Sequence, residues 1–224
     1  MLKKAGGLTT RGRSSVKAGR YREALDAFDR AASIYAEHAE PLKQATVLQE
    51  MADVYRLTED NGPALEIYAR LMGLFDKLED HEAKARTHNN SGLLLARQSS
   101  YEDALTHFRE ALKIFDELGK PLHVAEQWGN IGSVYRDSDK CDLAMDSYNH
   151  AFPIFRKLKK NEGVADQYTN IAYIHVMENR FTEALDWYQK ALPLYEKAGA
   201  RKKAEITRQN IAKLQGDPET DEGS

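Results

Sequence analysis

The pattern of apolar and polar positions between Ala125 and Phe155 predicts two amphipathic helices joined by a short polar turn. The first helix has an apolar stripe made of Trp128, Ile131, Gly132 and Tyr135. The second helix has a stripe made of Ala144, Tyr148 and Ala151. The glycine and alanines let two helices approach closely, and the aromatic rings fill the remaining space. The segment therefore predicts a pair of packed antiparallel helices.

The same pattern recurs every 40 residues along the chain. One column of equivalent positions in the second helices holds Ala24, Ala64, Ala104, Ala144 and Ala184. A column four residues later holds Phe28, Tyr68, Phe108, Tyr148 and Tyr188. A column in the first helices holds Ala52, Gly92, Gly132, Ala172 and Ala212. Because these blocks align without an insertion, the chain is predicted to be a repeat array with no single centre.

The stripes read W-x2-I-G-x2-Y followed by A-x3-Y-x2-A, and on these residues the chain resembles the tetratricopeptide repeat (TPR) family. The resemblance implies an all-α fold, a right-handed α-solenoid of antiparallel helix pairs. We expect the array to occupy residues 21–201 and a C-terminal capping helix to occupy residues 202–215. Residues 1–20 are expected to form an irregular basic arm or a degenerate capping helix. Residues 216–224 are expected to be a disordered acidic tail.

Four prolines test this interpretation. Pro41 and Pro63 are each predicted to open a helix, where the missing N–H would have had no partner. Pro153 and Pro193 instead fall at equivalent points inside second helices. An interior proline costs about 3 kcal/mol and removes a backbone hydrogen bond, yet the apolar pattern continues beyond both. We therefore predict helices that are kinked at these two prolines but not terminated.

Composition narrows the class of protein further. The formal charge is −3, from 32 basic and 35 acidic residues, which argues against binding nucleic acid or an anionic membrane. The single cysteine, Cys141, excludes an intrachain disulfide framework and suits a reducing compartment. The chain contains no apolar run of transmembrane length, and residues 1–20 lack the apolar core of a signal peptide. We expect a cytoplasmic protein.

The sequence shows no arrangement of residues typical of an enzyme. Its seven histidines are scattered, and no glycine-rich phosphate loop is present. His88 and His175 fall in the columns of Trp128 and Tyr135, so we expect both to be packing residues rather than metal ligands. We expect no catalytic site, no metal and no cofactor.

A different column carries the functional prediction. It holds Glu50, Asn90, Asn130, Asn170 and Asn210. At about 100° per residue, Asn130 faces away from the stripe that contains Trp128 and Gly132. In a stack of such helix pairs the first helices line the inner, concave wall. The four asparagines are therefore predicted to form a ladder along a groove, which Glu50 interrupts at its N-terminal end.

Asparagine suits the binding of an extended peptide of loosely specified sequence. Its carbonyl accepts from a peptide N–H and its amino group donates to a peptide C=O. It is short and stiff, so little side-chain entropy is lost on binding. Leu93, Tyr173 and Met177 share the predicted groove face as apolar contacts. Arg97 and Arg136 are predicted anchors for a carboxylate or a backbone carbonyl.

Blocks of about 40 residues with N-I-G or N-x-G in the first helix are similar to the repeats of kinesin light chains and Pins-type adaptors. The triplets here are Asn90-Ser91-Gly92, Asn130-Ile131-Gly132, Asn170-Ile171-Ala172 and Asn210-Ile211-Ala212. In those families an asparagine ladder holds extended peptides. The resemblance implies a non-enzymatic protein-protein interaction adaptor that binds a protein or peptide partner.

Three alternatives stay open, one of which is that the chain is a domain of a larger enzyme or regulator. Asparagine is frequent at this position of the repeat, so the column is also consistent with a structural habit that serves no ligand. A self-assembling, homo-oligomeric scaffold is another alternative, because residues 1–20 are basic and residues 216–224 are acidic. Head-to-tail contacts between such ends would form rings or filaments.

Overall fold

A computed structural model describes residues 1–216 of the chain. These residues form eleven helices and no strand. In chain order the helices are α1 (Leu2–Lys17), α2 (Tyr21–Glu37), α3 (Pro41–Leu57), α4 (Asn61–Lys77), α5 (His81–Arg97), α6 (Tyr101–Glu117), α7 (Pro121–Asp137), α8 (Cys141–Lys157), α9 (Asn161–Met177), α10 (Phe181–Ala198) and α11 (Arg201–Gln215). The chain divides into an N-terminal unit, Met1–Ile114, and a C-terminal unit, Phe115–Ser224.

Each pair of consecutive helices is joined by a turn of the same geometry. After α2, Ala39 has a positive φ of 50°, and the N–H of Glu40 donates to the carbonyl of Tyr35 at 2.9 Å. This is a Schellman motif, which satisfies carbonyls at the end of a helix and reverses the chain. A residue with positive φ recurs at Gly19, Ala39, Glu59, Glu79, Ser99, Gly119, Asp139, Lys159, Asn179 and Gly199. Within each unit, the repeated turn makes successive helices antiparallel.

The N-terminal unit is a stack in which α1 packs on α2, α2 on α3, α3 on α4 and α4 on α5. The ring of Phe28 is fully buried and lies directly over Gly12 of α1. An added Cβ at Gly12 would lie 2.4 Å from a Phe28 ring carbon. The expected arm or degenerate cap at residues 1–20 is mostly α1, which buries Ala5 and Leu8 but exposes Lys4 and Arg11.

The C-terminal unit repeats this packing. The ring of Tyr148 is fully buried over Gly132, where an added Cβ would lie 2.4 Å from a ring carbon. Helices α7 and α8 pair, α9 pairs with α10, and α11 packs on α10. The first helices α7 and α9 also contact each other. The observed core is therefore the one that the small and aromatic columns predicted.

The helices α8 and α10 both continue through their internal prolines, Pro153 and Pro193, which confirms that neither proline ends its helix. Pro41 is the first residue of α3, as predicted. The prediction for Pro63 was wrong by two residues, because α4 begins at Asn61. The preceding turn fixes this start, since its positive-φ residue recurs at a constant spacing. The expected acidic tail lies outside the described residues, apart from Gly216.

Candidate functional site

The predicted asparagines of the C-terminal unit occupy equivalent positions on three successive first helices. Asn130 lies on α7, Asn170 on α9 and Asn210 on α11, and all three are half-buried. The repeat of 40 residues is kept, so every second helix takes an equivalent position. The three asparagines therefore lie on one side of the unit. The side chains around Asn170 show what surrounds such an amide.

Asn170 accepts a hydrogen bond from Arg136, a residue that the sequence predicted to anchor a carboxylate or a backbone carbonyl of a bound partner. The Nη1 of Arg136 donates to Oδ1 of Asn170 at 3.0 Å. The Nε and Nη2 of the same guanidinium donate to Oδ1 of Asp137 at 2.9 and 2.7 Å. The guanidinium also lies over the ring of Tyr173, 5.0 Å from its centroid. The structure thus brings Arg136, Asn170 and Tyr173 into one cluster.

A cavity of about 240 Å³ lies between α9 and α11, with two tyrosines of α10 at its wall. It is lined by Arg136, Asp166, Thr169, Asn170, Tyr173, Tyr188, Tyr195, Lys203, Ile206, Thr207 and Asn210. Burial raises the pKa of Tyr188, and an interaction with the Asn210 side chain opposes that rise. Four residues predicted from the sequence therefore line the same cavity, namely Asn170, Asn210, Arg136 and Tyr173.

A second cavity of about 250 Å³ lies between α7 and α9. It is lined by Glu126, Gly129, Asn130, Ser133, Phe155, Asp166, Gln167, Thr169 and Asn170. The two cavities share Asp166, Thr169 and Asn170. They consequently adjoin along α9, with Asn130 on one side and Asn210 on the other. We name the surface made by these two cavities the amide wall.

Asp166 connects the amide wall to α10 and α11. Its Oδ1 accepts from the Tyr195 hydroxyl at 2.7 Å and from Nζ of Lys203 at 2.7 Å. Lys203 also pairs with Glu162 at 2.8 Å. Burial alone would lower the pKa of Lys203, but its bonds to Asp166 and Glu162 raise it, so the amine stays charged. Burial also raises the pKa of Tyr195, which keeps its hydroxyl a donor to the carboxylate.

The other predicted residues lie elsewhere. Met177 is 36% exposed, one turn beyond Tyr173 on α9. Asn90, Leu93 and Arg97 belong to α5 in the N-terminal unit. Asn90 is half-buried, whereas Leu93 and Arg97 are exposed.

Of the two histidines predicted as packing residues, His88 is half-buried and His175 is buried. His175 is 8% exposed, and burial lowers its pKa. His88 lies with its Nδ1 3.0 Å from Nδ1 of His107. Burial, and then the neighbouring His107, lower the pKa of His88 to about 4.

Within residues 1–216 no three His, Cys, Asp or Glu side chains converge as metal ligands. No helix in that part of the chain has both the length and the apolar character needed to span a bilayer.

Sequence reasoning missed Tyr188, Tyr195 and Lys203, which line the α9–α11 cavity of the candidate site. The second helices were interpreted only as packing elements, so their tyrosines were assigned to the core. A signal was present, because Tyr188 and Tyr195 take positions at which other repeats have phenylalanine, such as Phe108 and Phe155. A hydroxyl at the edge of a buried ring indicates a polar neighbour. No comparable signal marks Lys203, whose partners lie on another helix.

The chain is similar to several solved structures. The apo form of RapI shares 19% identity with a TM-score of 0.81, over 96% of this chain and 79% of RapI. A putative kinesin light chain of Podosopora anserina with nearly identical TPR-like repeats shares 12% identity with a TM-score of 0.69, over 89% and 98% of the two chains. A Rap protein complexed with Competence and Sporulation Factor shares 16% identity with a TM-score of 0.67, over 97% and 61%. These likenesses show the fold.

The helix-pair repeats and these neighbours define the class as a TPR-like helical-repeat protein, which confirms the predicted all-α solenoid and its repeats of about 40 residues. The family model described as "Soluble NSF attachment protein, SNAP" matches residues 43–191 and 113–222. The chain belongs to the soluble NSF attachment protein (SNAP) family. No curated protein matches the chain in sequence.

Proposed function

We propose that the chain is a non-enzymatic protein-interaction adaptor, and that the amide wall binds an extended peptide segment of a partner protein. The observation that carries this proposal is the sharing of Asn170 by two adjoining cavities, one of which also contains Asn130 and the other Asn210. Three amides thus lie in order along one surface of the C-terminal unit. An extended segment that crosses α7, α9 and α11 would meet each amide in turn.

The size of the two cavities favours side chains of a peptide over a small-molecule cofactor. Their volumes of about 240 and 250 Å³ lie below the range of about 300–1,000 Å³ that is usual for small-molecule pockets. Adjacent packed helices are about 8–10 Å apart, so neighbouring cavities suit side chains that are a few residues apart in one chain. The exposed ring of Tyr173 and the side chain of Ile206 offer apolar contact beside the amides.

The bond from Arg136 gives the central amide a defined orientation. Because Oδ1 of Asn170 accepts from Arg136, the oxygen is directed to that side and the amino group is directed to the other. The amino group can then donate to a carbonyl of the bound segment. A fixed amide loses less entropy on binding than a mobile one, which favours recognition of a peptide backbone.

The comparisons support an interaction role without naming the partner. One similar structure is a Rap protein complexed with Competence and Sporulation Factor, and another is a putative kinesin light chain. The family description names attachment to NSF. The Rap complex and the family description each name binding to another molecule, which is the kind of role proposed here for the amide wall.

The test begins with a peptide-display selection against the full chain. The affinity of a selected peptide is then measured by fluorescence anisotropy for wild type and for the double variant Asn130→Ala/Asn210→Ala. Each hydrogen bond contributes about 0.5–1.5 kcal/mol, so we expect a loss of about tenfold or more. Asn170 is left unchanged because it also holds Arg136.

The matched control is Asn149→Ala, the same substitution on an exposed position of the second helix α8. It should leave the affinity unchanged, and circular dichroism should show the same helix content for all variants. Equal peptide affinity of wild type and the double variant would refute the role of the amide wall.

A further inference from the structure

One glycine of the amide wall is not required by helix packing. Gly129 lies in the middle of α7 and lines the α7–α9 cavity. A Cβ added at Gly129 would make only ordinary van der Waals contacts, at 3.4 and 3.7 Å. Gly132 differs, because its added Cβ would lie 2.4 Å from a ring carbon of Tyr148. Glycine inside a helix is less stable than alanine, so close packing accounts for Gly132 but not for Gly129.

The other repeats have a side chain at the position of Gly129. The equivalent residues are Gln49, Asn89, Thr169 and Gln209. Each of them has side-chain atoms where Gly129 has none. The cavity beside this glycine measures about 250 Å³, far more than the ~10–15 Å³ that one water molecule needs. The glycine therefore opens room for a side chain of a partner.

The side chain that faces this open position is the amide of Gln167 on α9. Its Nε2 and Oε1 would lie 3.4 and 3.7 Å from the added Cβ of Gly129. Gln167 is 3% exposed, and its Oε1 has no hydrogen-bond partner among the described residues. Nε2 donates to the carbonyl of Gly163 at 3.3 Å, which sets the orientation, because the flipped amide would bring two acceptors together. A buried acceptor without a partner is unfavourable, and a ligand that donates to it removes this penalty.

The two carboxylates of the cavity do not make it a site for a cation. Asp166 is already bonded to Nζ of Lys203 at 2.7 Å. Glu126 is 46% exposed and lies 2.8 Å from Nδ1 of His123. Neither carboxylate is a buried charge without a partner. A cation drawn in as far as Gln167 would lose its hydration without gaining a counter-ion, so the cavity favours a neutral donor.

We infer that the α7–α9 cavity binds a side-chain amide, an asparagine or glutamine of the partner segment. This inference rests on the proposed function, and it adds the kind of residue that the amide wall selects. The amide of Gln167 has two N–H groups, and the bond to Gly163 uses one of them. A partner amide can therefore donate to Oε1 and accept from the second N–H. An ammonium group has no acceptor, and a hydroxyl offers one atom where an amide offers two.

The experiment uses the full chain and the display-selected peptides. We expect an asparagine or glutamine at one common position of these peptides. At that position the amide is replaced by leucine, which has a similar size but no donor, and in a second peptide by lysine. Each replacement should weaken binding about tenfold in fluorescence anisotropy, which is the effect of about one hydrogen bond in a buried site.

A protein variant assigns this preference to Gln167. Gln167→Met removes the amide with little change in volume, so the amide and leucine peptides should bind it equally. The matched control is Gln127→Met, at the equivalent position of α7, which is also buried but lines neither cavity of the amide wall. It should keep the wild-type preference. A double-mutant cycle between protein and peptide measures the coupling, and circular dichroism checks the helix content of each variant.

A second variant tests the open space itself. The methyl group of Gly129→Ala would stand before the Gln167 amide, so this variant should bind the amide peptide about tenfold more weakly. It should also raise the midpoint of urea unfolding, because alanine suits a helix better than glycine. Gly73→Ala, at an exposed position of α4 with no atom within 4 Å of the added Cβ, is the control. It should raise the midpoint and leave the affinity unchanged. A loss of binding together with a gain in stability is not the result of a damaged fold.

The outcomes separate this inference from the proposed function. If selected peptides depend on Asn130 and Asn210 but show no preference for an amide side chain, the inference is wrong and the proposed function stands. The same holds if Gln167→Met keeps the wild-type preference, or if the lysine peptide binds more tightly than the amide peptide. If selected peptides ignore the amide wall altogether, both proposals fall.

Discussion

The two units of the chain use one repeat position in different ways at α9 and α3, although Asn90 on α5 of the N-terminal unit keeps the asparagine. In the C-terminal unit the position holds Asn170, whose oxygen accepts a single bond from Arg136. In the N-terminal unit the equivalent position of α3 holds Glu50, which forms an ion pair with Arg13 of α1 at 2.6 Å. The first arrangement leaves an amide between two cavities. In the second, the carboxylate of α3 is paired with a cation of α1, the preceding first helix.

The cavities beside these residues differ in the same way. A cavity of about 380 Å³ next to the Arg13–Glu50 pair is lined by four apolar side chains, Val16, Phe28, Val54 and Leu57, and by four charged ones, Arg13, Lys17, Glu50 and Asp53. The amide wall is lined mainly by polar and charged side chains. The backbone repeat is therefore common to both units, and the side chains at a few positions decide the chemistry of each wall.

The largest expected effect concerns a feature of both units, a glycine that packs directly against an aromatic ring. Gly12→Ala would place a Cβ 2.4–2.9 Å from three ring carbons of Phe28, which is fully buried and cannot move away. Overpacking of this kind costs about 1–3 kcal/mol. We expect Gly12→Ala to lower the midpoint of urea unfolding, followed by circular dichroism.

The control lies on the same helix. Gly7 has no atom within 4 Å of an added Cβ, so Gly7→Ala should stabilise α1 by about 0.5–1 kcal/mol through helix propensity. Gly132→Ala, under Tyr148 in the C-terminal unit, should behave like Gly12→Ala. The same sign of effect at Gly7 and Gly12 would contradict the close packing described here.

The parts of the fold that the sequence predicted are those set by local packing. Gly132 and Tyr148 are 16 residues apart and meet directly, and such pairs recur because each helix packs on the next. The same reasoning predicted that α8 would continue past Pro153, since the apolar pattern did. The start of α4 at Asn61 was missed because the turn, and not Pro63, determines it.

The contacts that define the site were harder to predict. The bond between Arg136 and Asn170 joins residues 34 apart, and the pair of Lys203 with Asp166 joins residues 37 apart. Neither separation equals the repeat of 40 residues. The long side chains of Arg136 and Lys203 reach residues on another helix that do not occupy the equivalent repeat position. The periodic pattern gave the position of each asparagine on its helix, but it held no information on which cation would approach it.

A second prediction concerns acid stability in the N-terminal unit. Burial and the adjacent His107 lower the pKa of His88 from an ordinary value of 6.5 to about 4. The unfolded chain therefore binds more protons than the native chain between these values, so stability falls as pH falls from about 6.5 to about 4 and levels off below. After allowance for partial exposure of the ring, the loss should be about 1–2 kcal/mol.

The measurement compares the free energy of urea unfolding at about pH 7 and about pH 4.5 for wild type and for His88→Phe. Phenylalanine is chosen because the equivalent position in another repeat holds the aromatic Trp128. The variant should lose less stability in acid than wild type does. His81→Ala, on an exposed position of the same helix α5, should keep the wild-type dependence. An equal acid loss in wild type and His88→Phe would show that other groups account for it.

The smallest expected effect tests the difference between the equivalent positions of α3 and α9. Glu50→Asn gives α3 the residue found at the equivalent position of α9, and it removes the ion pair with Arg13. Because the Arg13 side chain is 55% exposed, we expect a loss of only about 0.5–1 kcal/mol in urea unfolding. A double-mutant cycle with Arg13→Gln isolates the coupling, and Glu23→Gln, which breaks an exposed pair with Arg20, is the control. A loss above about 2 kcal/mol would mean that the pair holds α1 against α3 as a buried pair does. A small loss would show instead that Glu50 changes the chemistry of the wall and leaves the repeat intact.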